Sequence, residues 1–113
     1  MRVIYVSGSY HSKWGLIGTL INIWKARRVA QRLWKQGWVV ICPHLNTALF
    51  DSNDKIPYLQ GDLEIITRCC DALYMMKNWY KSVGSNVEHR VAVELGLQIV
   101  YACDYYEKKG GDD

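Results

Sequence analysis

Residues 72–102 read ALYMMKNWYKSVGSNVEHRVAVELGLQIVYA, and their pattern decides the fold. Residues 72–76 form a short apolar run, which reads as a buried strand. A polar loop follows at 77–82. From about residue 84 the apolar positions Val87, Val91, Ala92 and Leu95 recur at helical spacing, and Gly96 sits where a helix stops. Residues 99–102 return to a strand-like run. Strand, crossover helix and strand together make the unit of a parallel sheet.

The same unit recurs upstream. Residues 3–6 are a β-branched and aromatic run that stops at Ser7-Gly8-Ser9, while 11–18 is loop-like, with two glycines. A helix is expected over 19–36. Ile23, Ala26, Ala30 and Leu33 share one face; Lys25, Arg28, Arg32 and Lys35 share the opposite one. Gly37 suits the position just past its end. Residues 38–42 read as the second strand, closed by Pro43. The stretch 44–56 is polar, irregular and long for a compact domain, as functional loops often are. Pro57 suits the first turn of a helix running to about residue 69. The order is β-α-β-α-β-α-β, with no internal repeat or linker. In such a sheet ligands bind beyond the carboxyl ends of the strands, where strand order reverses.

The bulk numbers agree. The chain has 113 residues, half of them hydrophobic and 22% charged, which is one globular domain and too little for two. We expect the domain over 1–104 and a flexible charged tail over 105–113. The net charge of +3 suits an anionic small molecule as well as nucleic acid. The four cysteines, Cys42, Cys69, Cys70 and Cys103, form no Cys-x-x-Cys pair and read as small buried hydrophobes in a reducing compartment. No signal peptide or membrane-length apolar stretch is visible, so a cytoplasmic protein is expected. Five tryptophans are many for this size and point to a self-association surface or a pocket lining.

Three loops reach the ligand edge: Ser7-Gly8-Ser9-Tyr10, the loop at His44, and the loop at Ser82. The last carries Ser82, Gly84 and Ser85 into a helix whose first N–H groups lack partners and attract anions. Taken alone it reads first as an ordinary cap. Glu88 adds weight, because it lies in the first turns, on or beside the apolar face; Glu94, further along, reads as structural. Asp62 stands among Leu59, Leu63 and Ile66 in the same way. A carboxylate on an apolar stripe is costly unless paired or used, so the two suggest a shared acid/base site. His44, Asn46 and Asp51 read either as contacts to a ligand or as residues that close their loop. His11 and His89 are expected to be solvated, and no spacing supports a metal.

Ser82-x-Gly84-x-x-x-Glu88 with Ala92 and Leu95-Gly96, the Gly8-Ser9-Tyr10 turn, Asp62 with Cys70-Asp71-Ala72-Leu73, and Ile41-Cys42-Pro43-His44-x-Asn46 together resemble the nucleoside 2-deoxyribosyltransferase-like superfamily. The likeness covers residues 2 to 101 and is closest to a branch of short bacterial and phage proteins. It implies that Glu88 attacks the anomeric carbon of a 2′-deoxynucleoside, that Asp62 serves the leaving base, and that the Gly8 turn closes over the ligand. Nucleoside transferases usually carry aspartate where this chain has Ser82. Serine is similar instead to 2′-deoxynucleoside 5′-monophosphate N-hydrolases, in which hydroxyls and N–H groups hold the phosphate.

The expectations are these. The fold is a three-layer α/β, flavodoxin-like parallel sheet of four to five strands, order 2-1-3-4, with helices on both faces. The activity is hydrolysis or transfer at an N-glycosidic bond, with a nucleotide-binding sensor or sequestering protein as the alternative. Glu88 and Asp62 are catalytic; Gly8, Ser9, Tyr10, His44, Asn46, Ser82, Gly84 and Ser85 bind substrate. No cofactor or metal is expected, and the partner is a nucleoside or nucleotide. The chain is expected to form a homodimer or higher oligomer. A membrane partner is not expected, and the basic helix stripe lacks the motifs of a nucleic-acid binder.

Overall fold

The computed structural model describes residues 1–10, 12–48, 50 and 56–102. Its elements are β1 (Val3–Ser7), α1 (Gly15–Lys35), β2 (Val39–Ile41), α2 (Pro43–Asn46), α3 (Tyr58–Cys69), β3 (Ala72–Met75), α4 (Val83–Glu94) and β4 (Gln98–Tyr101), with one turn of 3-10 helix at Trp79–Lys81. The four strands form one all-parallel sheet in the order β2-β1-β3-β4. The expectations for His11, Asp51, Cys103 and the tail 105–113 fall outside the described residues.

The layering follows from strand periodicity. Successive side chains of a strand point to opposite faces. Ile4 and Val6 of β1, with Ala72 and Tyr74 of β3, pack on Ala26, Val29, Ala30 and Leu33 of α1. Tyr5, Leu73 and Met75 lie on the other face, with Ile66 of α3 and Ala92 of α4. β1 and β3 are therefore buried on both sides, as central strands of a parallel sheet are. Burying one such large apolar side chain contributes about 1.5–3 kcal/mol. Asp71 pins the start of the sheet: its Oδ2 accepts from Val3 N–H and its N–H donates to Val3 carbonyl, each at 2.8 Å.

Both long-helix stops read from the sequence hold. Gly37 and Gly96 have φ of +97° and +75°, and Trp38 N–H and Leu97 N–H close back onto Leu33 and Ala92 carbonyls. Several boundaries differ. α1 starts at Gly15 instead of 19, because Gly15 takes a left-handed φ of +71° and Gly18 packs against Ser12. Pro43 closes β2 but also opens the short helix α2, so 44–56 is not irregular throughout. The buried face of α4 is Ser85, Glu88 and Ala92, whereas Leu95 is exposed, so Glu88 sits in the middle of that face. Cys42 and Cys70 are buried, but Cys69 is exposed on α3.

Candidate active site

A cavity of about 610 Å³ opens at the carboxyl edge of the sheet, large enough for a nucleotide-sized ligand. Gly8, Ser9 and Tyr10 reach it from β1, and His44 from α2. Asp62 reaches it from α3, and Ser82, Gly84, Ser85 and Glu88 from α4. Of the ten site residues expected from the sequence, Asn46 is the one that does not line it. Asn46 ends α2 exposed, two residues beyond the buried His44 and so on the other side of the helix.

Glu88 is 6% exposed. Tyr5 Oη donates to its Oε2, and Ser7 Oγ donates to its Oε1 at 2.7 Å. Tyr5 and Ser7 are two apart in β1, so the pleat aims both hydroxyls at α4. Burial lifts the Glu88 carboxyl to about 7, against the pull of the two hydroxyl donors. Burial also raises Asp62, and the Tyr5 hydroxyl draws it back. The Tyr5 hydroxyl thus lies between two carboxyls; burial first, then Glu88 and Asp62, hold its own proton on firmly.

One wall of the cavity is the start of α4. Ser82 caps the helix, its Oγ accepting from Ser85 N–H at 3.2 Å, and its carbonyl accepts from Asn86 N–H at 3.0 Å. The Ser82 hydroxyl keeps its own hydrogen to donate. The N–H groups of Val83 and Gly84 precede the first intrahelical bonds and sit on the cavity wall. The residues that cap the helix thus also line the cavity. Gly84 is not demanded by packing, since an added Cβ would meet nothing nearer than 3.8 Å.

Gly8 and His44 shape the opposite wall. A Cβ on Gly8 would lie 2.7 Å from Met76 Sδ and 2.9 Å from Met76 Cβ, so the β1 turn presses directly on the end of β3. Ser9 N–H and Oγ then donate to the side chain and carbonyl of Asn78, at 3.2 and 3.0 Å. His44 Nε2 donates to Ser9 carbonyl at 2.8 Å, while its Nδ1 is buried without a hydrogen-bond partner. Burial lowers the His44 pKa, which fits a neutral ring bracing the β1 turn. His44 therefore braces its loop and also lines the cavity.

A model of a family described as Domain of unknown function (DUF4406) matches residues 3–101. The chain belongs to the DUF4406 family. The match runs from β1 to the end of β4, so every residue of the site falls inside the family domain. No curated protein matches the chain in sequence.

Neither Tyr5 nor Ser7 is expected as a site residue from the sequence: Tyr5 sits inside an apolar run, and Ser7 reads as the start of the turn that ends it. Their signal was available: two hydroxyls at alternate positions of a strand buried on both faces need a polar partner. Lys81 and Tyr58, also on the cavity wall, carry no such signal. His89, expected in solvent, instead stacks on Trp79, with ring centroids 4.5 Å apart, and its Nε2 is 2.7 Å from Tyr101 Oη. Among the described residues no cluster of His, Cys, Asp and Glu could hold a metal, and no helix is long and apolar enough to cross a membrane.

Proposed function

We propose that this DUF4406 protein cleaves the N-glycosidic bond of a 2′-deoxynucleoside 5′-monophosphate, passing the deoxyribosyl group through Glu88 to water or to a second base. The observation that carries this reading is the pairing of Glu88 and Asp62 in one cavity with the bare N-terminus of α4. The resemblance of the Ser82–Glu88 segment to nucleoside 2-deoxyribosyltransferase-like enzymes supports the same assignment.

Each part has a task. The ionised Glu88 carboxylate attacks the anomeric carbon as the bond to the base breaks, and the electrons of that bond leave with the base. Tyr5 and Ser7 hold the carboxylate in one rotamer. Asp62, whose carboxyl burial shifts toward its protonated form, donates a proton or hydrogen bond to the departing base. Water or another base then attacks the same carbon and frees Glu88. The Val83 and Gly84 N–H groups, the Ser82 hydroxyl and Lys81 receive the 5′-phosphate. An aspartate at position 82 would repel that group.

The test is incubation with a panel of deoxynucleosides and their 5′-monophosphates, following free base by chromatography. Release from at least one monophosphate, faster than from its nucleoside, is expected. Nucleotide binding without release from any member would favour a sensor or sequestering protein.

A further inference from the structure

The buried residues of α4 are Ser85, Glu88 and Ala92. They stand three and four apart, so they share one face of the helix. Ala92 packs in the core with Tyr5 and Ile66, and Glu88 has its two hydroxyl donors. That leaves Ser85. It is only 2% exposed, yet it lines the large cavity, so what little of it is open faces that space. Its N–H is taken by Ser82 Oγ at 3.2 Å. Among the described residues its own Oγ has no hydrogen-bond partner, and unlike His44 Nδ1 it is not sealed from the cavity. Buried hydroxyls are nearly always paired, so this one is placed to pair with a ligand.

Its neighbours in α4 say which part of a ligand it meets. Val83 and Gly84, whose N–H groups receive the 5′-phosphate in the proposed function, directly precede it. Glu88, the proposed nucleophile, follows within one turn, about 4.5 Å along the axis. Helical side chains lean toward the N-terminus, so the Glu88 side chain reaches back over the turn that holds Ser85. A nucleotide held by its phosphate at one end and its anomeric carbon at the other lays its furanose across this interval. The phosphate itself suits Ser85 poorly, because the spot is almost wholly buried and lies beside Glu88, whose charge opposes a second anion. The ring oxygen suits it no better, since that oxygen gives electrons to the anomeric carbon as the base leaves. The 3′-hydroxyl can both donate and accept, as the serine hydroxyl can.

We propose that Ser85 Oγ hydrogen-bonds the 3′-hydroxyl of the deoxyribose and so selects mononucleotides in which that hydroxyl is free. This rests on the nucleotide reading of the cavity and assigns the sugar contact within it.

The test compares a 2′-deoxynucleoside 5′-monophosphate with its 2′,3′-dideoxy counterpart in wild type, Ser85→Ala, Ser85→Gly and Ser85→Thr, with melting temperatures to check folding. The readout is kcat/KM for base release, or calorimetric affinity if no base is released. Loss of the 3′-hydroxyl also changes the intrinsic lability of the glycosidic bond, but equally for every variant, so the change in the deoxy-to-dideoxy ratio isolates the contact. That ratio should fall roughly tenfold in Ser85→Ala and Ser85→Gly, as the loss of one hydrogen bond would give. Ser85→Thr, which keeps the hydroxyl, should hold it. A ratio unchanged in Ser85→Ala overturns the proposal even where both substrates suffer, since a structural role moves both alike. A loss seen with the monophosphate but absent with the unphosphorylated deoxynucleoside places Ser85 at the phosphate and overturns it as well. Base release with an unchanged ratio sinks this proposal and leaves the proposed activity standing. Wild type that binds neither nucleotide removes the nucleotide reading and this contact with it.

Discussion

Glu88 is held by two hydroxyls yet lifted to about 7, so burial outweighs its donors. The folded state therefore binds the Glu88 proton more tightly than the unfolded chain does, where the ordinary value is 4.5. That stabilisation is complete below about 4.5 and is lost as pH rises through about 7. Glu88→Gln carries no charge to bury. It should melt with wild type near pH 4 and be more stable by on the order of 2 kcal/mol at about pH 8. Denaturant titrations at the two pH values measure this, and an unchanged difference would contradict the burial of the charge. The sign for catalysis is opposite: attack needs the carboxylate, so the single-turnover rate should rise with pH through about 7 and then level. Ser82→Asp separates capping from phosphate binding. Aspartate is as good a cap, so stability should hold. Monophosphate affinity should fall by roughly tenfold or more, since a charge now opposes the anion. Calorimetry showing no loss would remove the phosphate from this helix end.

The elements were legible wherever packing and periodicity agree. β1 and β3 are buried on both faces and read as apolar runs; Gly37 and Gly96 end their helices as expected. The start of α1 was not legible, because Leu16, Ile17, Leu20 and Ile21 are exposed and blur the amphipathic stripe that marks the later turns. The site was legible at Glu88, Asp62 and Ser82, where a polar residue interrupts an apolar face or opens a helix. It was illegible at Tyr5, whose aromatic ring reads as core and whose hydroxyl finds its partner 83 residues away. Gly84 gives an element-scale test. With open space around it, Gly84→Ala should stabilise α4 by about 0.5 kcal/mol through helix propensity. The same methyl group should weaken nucleotide binding, because it covers the N–H groups the phosphate approaches. Higher melting temperature with unchanged affinity would place the ligand elsewhere.

At the scale of the whole molecule, the first half of α1 is unusual. Trp14, Leu16, Ile17 and Trp24 are 75%, 65%, 72% and 54% exposed, and Leu20 and Ile21 lie between them. Monomers rarely leave so continuous an apolar face to water. We propose that a second copy of the chain covers it, as the surplus of tryptophan suggests. Light scattering at micromolar concentration should give at least the mass of a dimer, and Ile17→Glu with Leu20→Glu should reduce it to that of one chain. A monomeric wild type would contradict the pairing.

The assignment of Glu88 as nucleophile is met most directly by rapid-quench, single-turnover measurement of base release from the best deoxynucleotide substrate, wild type beside Glu88→Gln, with melting temperature as the control for folding. Release by wild type and its loss in a folded Glu88→Gln protein is the expected result. Asp62→Asn should retain a part, since an amide can still hydrogen-bond the base. Equal release by wild type and Glu88→Gln would contradict the assignment.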